Sequence, residues 1–366
     1  VTGVTITTAG KALRGWESVE IVKSMTSLCG EFSLSQSAQE ADGKAAYLPV
    51  FPGDRAEIRL EGHLLLTGWV DEIAPKIDPR SHTIGVKGRE ITSDLVDCGL
   101  EGVNGTWKGV TLAQLAAQLV KPFGLVYTSE GGADLGKPFT RFSAEPGDTV
   151  FQTITKAANQ RGVLPWTTRE GALTFIQQGT KRATDRLVLG QNLLSVSGAF
   201  SLKDRFSTYQ VRGTHATAPG AGYFSANKSL HVSATATDKG VERYRPLVIV
   251  GGNDLTAQTA QERANWEALT RAAKSSTMEA VVRGWTQSDG SLWECASLLS
   301  LDAPAILGGP SQDLLVSQVR YTLGPDGTRA TLSLVSPDAF QKLEERKKTV
   351  AKTDPWATVR KAVRGQ

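Results

Sequence analysis

The chain has 366 residues, 40% of them apolar and 21% charged, with a formal net charge of +4. This balance excludes a globally disordered chain, and no run approaches the roughly 18 apolar residues that span a bilayer. Residues 341–366 hold eight basic and three acidic residues; the rest is near neutral, which disfavours a strongly basic nucleic-acid-binding domain.

Length predicts two to three domains at about 150 residues each. Cys29, Cys98 and Cys295 are widely spaced. An odd, scattered set makes no disulfide framework, and each is expected as a small buried hydrophobe in a reducing compartment. Residues 1–10 have neither the basic start nor the apolar core of a secretory leader.

The first hundred residues read as β. Residues 4–8, 19–23, 32–35, 64–73 and 83–87 are predicted strands. Arg55-Ala-Glu-Ile-Arg-Leu-Glu61 alternates, with Ala56, Ile58 and Leu60 on one face. Arg55, Glu57, Arg59 and Glu61 take the other, so one side packs on a core and one meets water or a polar partner. Turns at Pro52-Gly53, Glu61-Gly62 and Asp78-Pro79 separate short strands, the pattern of a small barrel or sandwich.

Helical texture follows. Thr111-x-x-Gln114 is a capping box ahead of Leu112, Leu115, Ala116 and Leu119, and the helix should stop before Pro122 with Gly124 beyond. A second helix fits 148–161, with Asp148 as its N-cap and Gly162 as its stop. A hairpin is expected over 163–168 and 172–177, turning at Glu170-Gly171.

Strands return at 186–189, 193–200 and 208–212. The Ala-, Gly-, Ser- and Thr-rich stretch 214–239 reads as an exposed loop, and 247–250 as a buried strand. A long helix is expected over 256–274, capped by Asp254 or Thr256, with Ala260, Ala264, Leu269 and Ala273 along one side. The last β block, 278–335, ends in a hairpin turning at Gly324-Pro-Asp-Gly327. This hairpin resembles the earlier one at 66–73 and 83–87.

The fold class expected is α+β, mainly β, with two similar β-barrels. The first covers 1–102, and an inserted α+β domain covers 103–182. The second is assembled from 183–213 and 277–340. An insertion with the long helix fills 214–276, and a basic tail runs over 341–366.

The chemistry search returns little. His63, His82, His215 and His231 have no partner at metal-ligand spacing, and HExxH and CxxC are absent. No GxSxG or GxxxxGK[ST] occurs, and Gly220-Ala-Gly222 lacks the rest of a dinucleotide fingerprint. Asp71 and Glu72 follow Trp69, but neighbours on a strand point to opposite faces and should not converge. Glu57 and Glu61 sit among arginines, as on a solvated or subunit-contacting face. No catalytic, cofactor-binding or metal residue is therefore assigned. Most of the eight tryptophans suit a core, while Trp356, in the basic tail with Lys347 and Lys348, suits a docking anchor.

Blocks along nearly the whole chain carry a resemblance. They include Gly15-Trp-Glu-Ser-Val19, Gly30-Glu-Phe-Ser-Leu34, Thr67-Gly-Trp-Val-Asp71 and Gly88-Arg-Glu-Ile-Thr-Ser-Asp-Leu-Val-Asp-Cys98. Trp107-Lys-Gly-Val-Thr-Leu112, Leu187-Val-Leu-Gly-Gln-Asn-Leu-Leu194, Asp204-Arg-Phe-Ser207, Arg243-Tyr-Arg-Pro246 and Gly284-Trp-Thr286 continue it. In order and coverage the chain resembles the baseplate hub proteins, or P-type tail proteins, of Mu-like contractile-tailed bacteriophages. These are akin to the central hub of T-even phage baseplates.

The resemblance implies two barrels per chain and a homotrimeric ring of six barrels. One side of such a ring receives the sixfold tail tube protein and the other the threefold central spike protein, with other baseplate proteins around it. DNA would only pass through the channel. The implied setting is the virion tail baseplate, assembled in the host bacterial cytoplasm, with no cofactor, no catalytic motif and no direct membrane anchor. Arg55, Glu57, Arg59, Glu61, Lys347, Lys348 and Trp356 are the candidate interface residues. The alternatives are a tail-associated cell-envelope glycan hydrolase and a carbohydrate-binding module.

Overall fold

The computed structural model describes residues 3–8, 10–37, 50–78, 81–102, 105–130, 132–139, 141–161, 163–177, 181–216, 229–250, 256–307 and 311–340. It forms two compact units. The first comprises Val1–Ser195, Ala280–Leu299 and Leu315–Ser333; the second comprises Val196–Glu279, Ser300–Leu314 and Leu334–Gln366.

The strands are β1 (Val4–Thr8), β2 (Lys11–Leu13), β3 (Ser18–Ser24), β4 (Glu31–Ser37), β5 (Arg55–Leu60), β6 (His63–Asp78) and β7 (Ser81–Glu90). Next come α1 (Ser93–Asp97), β8 (Thr106–Trp107), α2 (Leu112–Val120), β9 (Phe142–Ser143), α3 (Val150–Arg161), β10 (Leu164–Thr167) and β11 (Leu173–Ile176). Then β12 (Lys181–Arg182), β13 (Leu187–Val188), β14 (Leu193–Phe200), β15 (Thr208–Ala216), β16 (Ser229–Thr237) and β17 (Pro246–Val250) follow. The chain continues through α4 (Ala257–Lys274), β18 (Ser276–Arg283), β19 (Ser297–Asp302), α5 (Pro304–Leu307), β20 (Gln312–Gly324) and β21 (Gly327–Val335).

The main sheet runs β14-β18-β21-β20-β3-β4-β7-β6-β5-β1-β2, with β12, β13 and β19 off that path. The path ends at β14 and β2, so the pairings form no closed barrel among the described residues. Alternation decides its core: Ala56, Ile58 and Leu60 of β5 and Ala330, Leu332 and Leu334 of β21 are fully buried. Gly88 is required by close packing, because a Cβ there would lie 2.0 Å from the Trp69 carbonyl oxygen and 2.4 Å from Phe32 Cζ.

Within the first unit, α2, α3 and the β10–β11 hairpin close over a separate apolar cluster that includes Leu115, Leu119, Ile154, Ala158 and Phe175. The Thr111 capping box is complete: Gln114 N donates to Thr111 Oγ1 and Thr111 N to Gln114 Oε1. After α2, Pro122 lies in a short 3-10 turn and Gly124 takes φ 68°. The cap of α3 is Thr149, not Asp148. Thr149 N donates to Gln152 Oε1, and Gln152 N to Thr149 Oγ1. Asp148 instead accepts from Glu145 N and pairs with Lys156. The expected stop at Gly162 falls outside the described residues.

In the second unit β16-β15-β17 form a three-stranded sheet on which α4 packs. The stretch read as a loop contains nine residues of β16, paired with β15 from Thr208↔Thr237 to Ala216↔Ser229. Its alternating face is built from small side chains; Ala234 and Ala236 pack with Ala260, Ala264 and Ala268 of α4. Their low hydrophobicity hides the period. Leu269 is only partly buried and Ala268 continues the stripe. Thr256 caps α4 reciprocally with Thr259; Asp254 lies outside the described residues. β17 is an edge strand rather than a buried one, with Val248 and Val250 52% and 86% exposed. Only Leu247 and Ile249 face the helix side. Among the described residues no helix is long and apolar enough to cross a membrane.

Candidate assembly surfaces and clefts

The β5 face holds three of the sequence-predicted residues together. β5 pairs with β1 on one side and β6 on the other, while Arg55, Glu57 and Arg59 project from the face opposite the core. Arg59 Nη2 lies 3.3 Å from Glu57 Oε2, both about two-fifths exposed. An ion pair this exposed contributes about 0–1 kcal/mol, so the strip remains available to a partner. Glu61 leaves it. The strand ends at Leu60, and Glu61 turns with φ 49°, accepting from Thr286 Oγ1 at 3.4 Å. Lys347, Lys348 and Trp356 lie outside the described residues.

A second charged strip escaped the sequence reading. A bulge between Val70 and Glu72 breaks the alternation of β6. Asp71 and Glu72 therefore reach Arg89 and Lys87, which lie two positions apart on β7. Strict alternation fails at this point, yet each acid meets its own cation and the two form no acid pair. Arg89 also makes a two-pronged contact with Asp97, at 3.2 and 2.9 Å. Those hydrogen bonds push the Arg89 guanidinium up and hold Asp97 below the usual carboxylate range. The Lys87-Gly-Arg89 alternation was the available signal.

The first unit has a cleft of about 450 Å³, lined among others by Lys23, Trp166, Arg169, Lys181, Glu294 and Tyr321. Lys23, Arg169, Lys181 and Glu294 of this lining are paired within the fold. Lys23 Nζ is 2.7 Å from buried Glu90 and 5.2 Å from the Trp166 ring centroid. Glu294 accepts from Arg169 on one oxygen and from Lys181 on the other. Thr167 Oγ1 donates to Leu28 O, and Thr67 Oγ1 to Arg169 O, tying the β10–β11 hairpin to the strands beneath. The Cys295 thiol donates to Lys23 O, and burial pushes its pKa up to about 12. Cys29 is buried, but Cys98 is exposed at the end of α1, against expectation. Of the tryptophans, Trp16, Trp107, Trp285 and Trp293 are core residues.

In the second unit, fully buried Arg205 grips Asp238 through Nε and Nη2 at 2.6 and 2.9 Å. These residues come from two segments 33 apart in sequence. Beside them a cleft of about 320 Å³ follows α4, lined by Ser201, Asp204, Arg263, Trp266, Glu267, Thr270, Arg271, Lys274 and Ser275. Among the described residues no group of three or more His, Cys, Asp or Glu side chains could hold a metal ion.

With this geometry in view, comparisons with known proteins place the chain. Residues 3–90 match a family described as Mu phage baseplate assembly protein GpP-like, N-terminal. Residues 92–177 match the second domain of baseplate hub protein gp44-like, and 256–344 the fourth domain of Mu phage baseplate assembly protein GpP. The baseplate hub protein gp44 of Escherichia phage Mu is 35% identical over 92% of this chain and 88% of its own length. The 43 kDa tail protein of prophage MuSo2 from Shewanella oneidensis is 31% identical, with TM-score 0.81, covering 93% of this chain and 99% of that one. A tail protein from Neisseria meningitidis superposes with TM-score 0.72 at 21% identity, covering 92% and 98% of the two chains.

Proposed function

The chain belongs to the baseplate hub proteins of Mu-like phages, a structural component of the virion tail baseplate, and from that premise we propose that three copies close into a ring joining the sixfold tail tube to the threefold spike. The supporting observation is the strand order. The β3–β4 pair sits between two long hairpins, β6–β7 and β20–β21. The main sheet therefore reads as two four-stranded blocks, β5-β6-β7-β4 and β3-β20-β21-β18. Two similar β modules per chain let a threefold assembly present six alike positions, because symmetry of the partner must be matched by repeats.

In this reading the chain is a scaffold and not a catalyst, and it takes no cofactor. The tail tube, the central spike and other baseplate proteins are its partners, and DNA passes through the channel without being held. A near-neutral body suits passage, since each phosphate contact adds affinity and retards transit. Arg55, Glu57 and Arg59 offer an outward charged strip for ring contacts. Lys347, Lys348 and Trp356 offer a docking tail.

Native mass spectrometry of hub extracted from purified tails tests the ring. A species near about 117 kDa, three times 39.1 kDa, is expected; only monomer or dimer rejects it. Deleting residues 341–366 should impair spike attachment, and unchanged tails reject the docking role. Clearing of peptidoglycan in a zymogram would favour a tail-associated glycan hydrolase instead.

A further inference from the structure

The edge strand β17 lacks the usual protection of an edge. Among the described residues it pairs only with β15, in parallel, so its second edge meets no strand. Edges are normally blunted by charge, proline or a bulge. Here Pro246 stands only at the start, and Leu247-Val-Ile-Val250 is uncharged and rich in β-branched residues, which favour a pleated strand. Both faces of β17 are short of a neighbour. On the α4 side Leu247 and Ile249 are only partly buried, whereas their register partners on β15, Tyr209 and Val211, are 0% exposed. On the other face Val248 and Val250 are exposed, beside Gln210 and Arg212 of β15. That face is otherwise polar and bonded within itself: Gln210 Nε2 donates to Ser233 Oγ, and Arg212 Nη2 to Gln210 Oε1. Its exposed valines stand at the edge.

Charge selects the occupant. Exposed Arg243 and Tyr244 lead into β17, and Arg212 lies across from Val250 at its far end. Among the described residues neither Arg212 nor Arg243 has an acid partner. Lys239, Arg243 and Arg245 outnumber Glu242 in the approach to the strand. Arg245 is fixed: its N donates to Ser207 Oγ, its Nη2 to Lys203 O, and its guanidinium lies 5.2 Å from the Phe206 ring centroid. The start of the strand is thereby held in place before docking, which lowers the ordering cost. An added strand with an acid at each end would meet an arginine at each end. This chain has no such strand to offer. Every other strand that pairs with a single neighbour (β2, β8, β9, β10, β11, β12, β13, β14 and β16) contains neither Asp nor Glu. Antiparallel pairing of β17 with β17 of a second copy would set the Arg243 end of each against the Arg212 end of the other, and like charges opposite one another are destabilising.

We propose that β17 is the docking edge for a different tail protein, which adds an extended segment of alternating apolar residues, with Asp or Glu at its ends, as a fourth strand. Main-chain hydrogen bonds supply affinity in such strand addition, and side chains supply selectivity. Here the valines and Tyr244 form the apolar contact and the two arginines read the acids. The choice of a tail protein as the source rests on the hub reading. Ring formation is not required, because the edge is complete within one copy.

Photo-cross-linking in assembled tails tests this. p-Benzoylphenylalanine replaces Val248 or, separately, Val250; both side chains are exposed, so the core is left intact. Mass mapping of the joined peptides should show cross-links to one other tail protein, at a segment flanked by Asp or Glu. Arg212→Glu combined with Arg243→Glu should cut the cross-linked fraction about tenfold, because like charges then face each other. Arg212→Lys with Arg243→Lys should keep most of it. No cross-link at either position, cross-links only between hub copies, a joined segment without acidic residues, or an undiminished fraction after the double charge reversal would overturn the proposal. Cross-links to the other protein are expected whether the hub extracts as monomer or trimer, so failure of this proposal and failure of the ring are read separately.

Discussion

Lys23 and Glu90 meet at 2.7 Å, with the Glu90 side chain 1% exposed. Glu90 also accepts Gly30 N at 2.7 Å, and Lys23 lies over Trp166 of the β10–β11 hairpin. One ion pair therefore joins β3, β7 and the hairpin of the α+β segment.

Removing one partner leaves the other buried and unpaired. Glu90→Ala is expected to destabilise the chain by roughly 3–5 kcal/mol in urea unfolding. Lys23→Met combined with Glu90→Gln should recover part of that loss, since no bare charge remains. A loss below about 1 kcal/mol in the single variant would place the pair among surface-like bridges.

Gly240 is fitted to Arg205. A Cβ at Gly240 would stand 2.1 Å from Arg205 Nη2 and 2.8 Å from its Cζ. Gly240→Ala should displace the guanidinium from Asp238 and cost about 1–3 kcal/mol by overpacking. Gly324→Ala, where nothing lies within 4 Å, is the control and should stay within about 0.5 kcal/mol. Hydrogen exchange should speed up around β15 and α4 in the first variant only.

The three thiols should separate by reactivity. Burial raises the Cys29 and Cys295 thiols, the latter to about 12, so little of either is thiolate near neutral pH. Cys98 is exposed. Iodoacetamide at about pH 8 should label Cys98 first and the other two only after unfolding. Native labelling of Cys295 at the Cys98 rate would contradict the packing.

Asp289 contributes to the acid limb. Hydrogen bonds from Ser291 and Thr184 lower its carboxyl from 3.8 to about 2. The unfolded chain then binds the proton more tightly. The stabilisation is complete above the unfolded value and is lost as pH falls towards about 2. Asp289→Asn should flatten the melting-temperature profile across that window. A profile that superimposes on the parent would remove Asp289 from the acid response.

Features decided by near neighbours were legible in the amino-acid order. The Thr111–Gln114 cap, the buried face of β5 and the turn at Gly327 each rest on a few adjacent residues. Misreadings fell where a partner far along the chain sets the outcome. β17 reads as buried because Leu-Val-Ile-Val is apolar, yet burial depends on its place at the sheet edge. β16 reads as a loop because alanine and serine carry too little hydrophobic contrast, yet an alanine stripe on α4 packs on that shallow face. The Asp71 bulge is invisible locally, since it exists only relative to β7.

By itself the sequence determined where β5 alternates, where α2 begins and that a Mu-like hub framework is present, because these follow from periodicity, capping chemistry and ordered motifs. Only the tertiary structure decided that Lys23 faces Glu90 and that Arg205 faces Asp238. The reason is physical: a charge acts through the distance to its partner, and that distance is set by packing rather than by position along the chain.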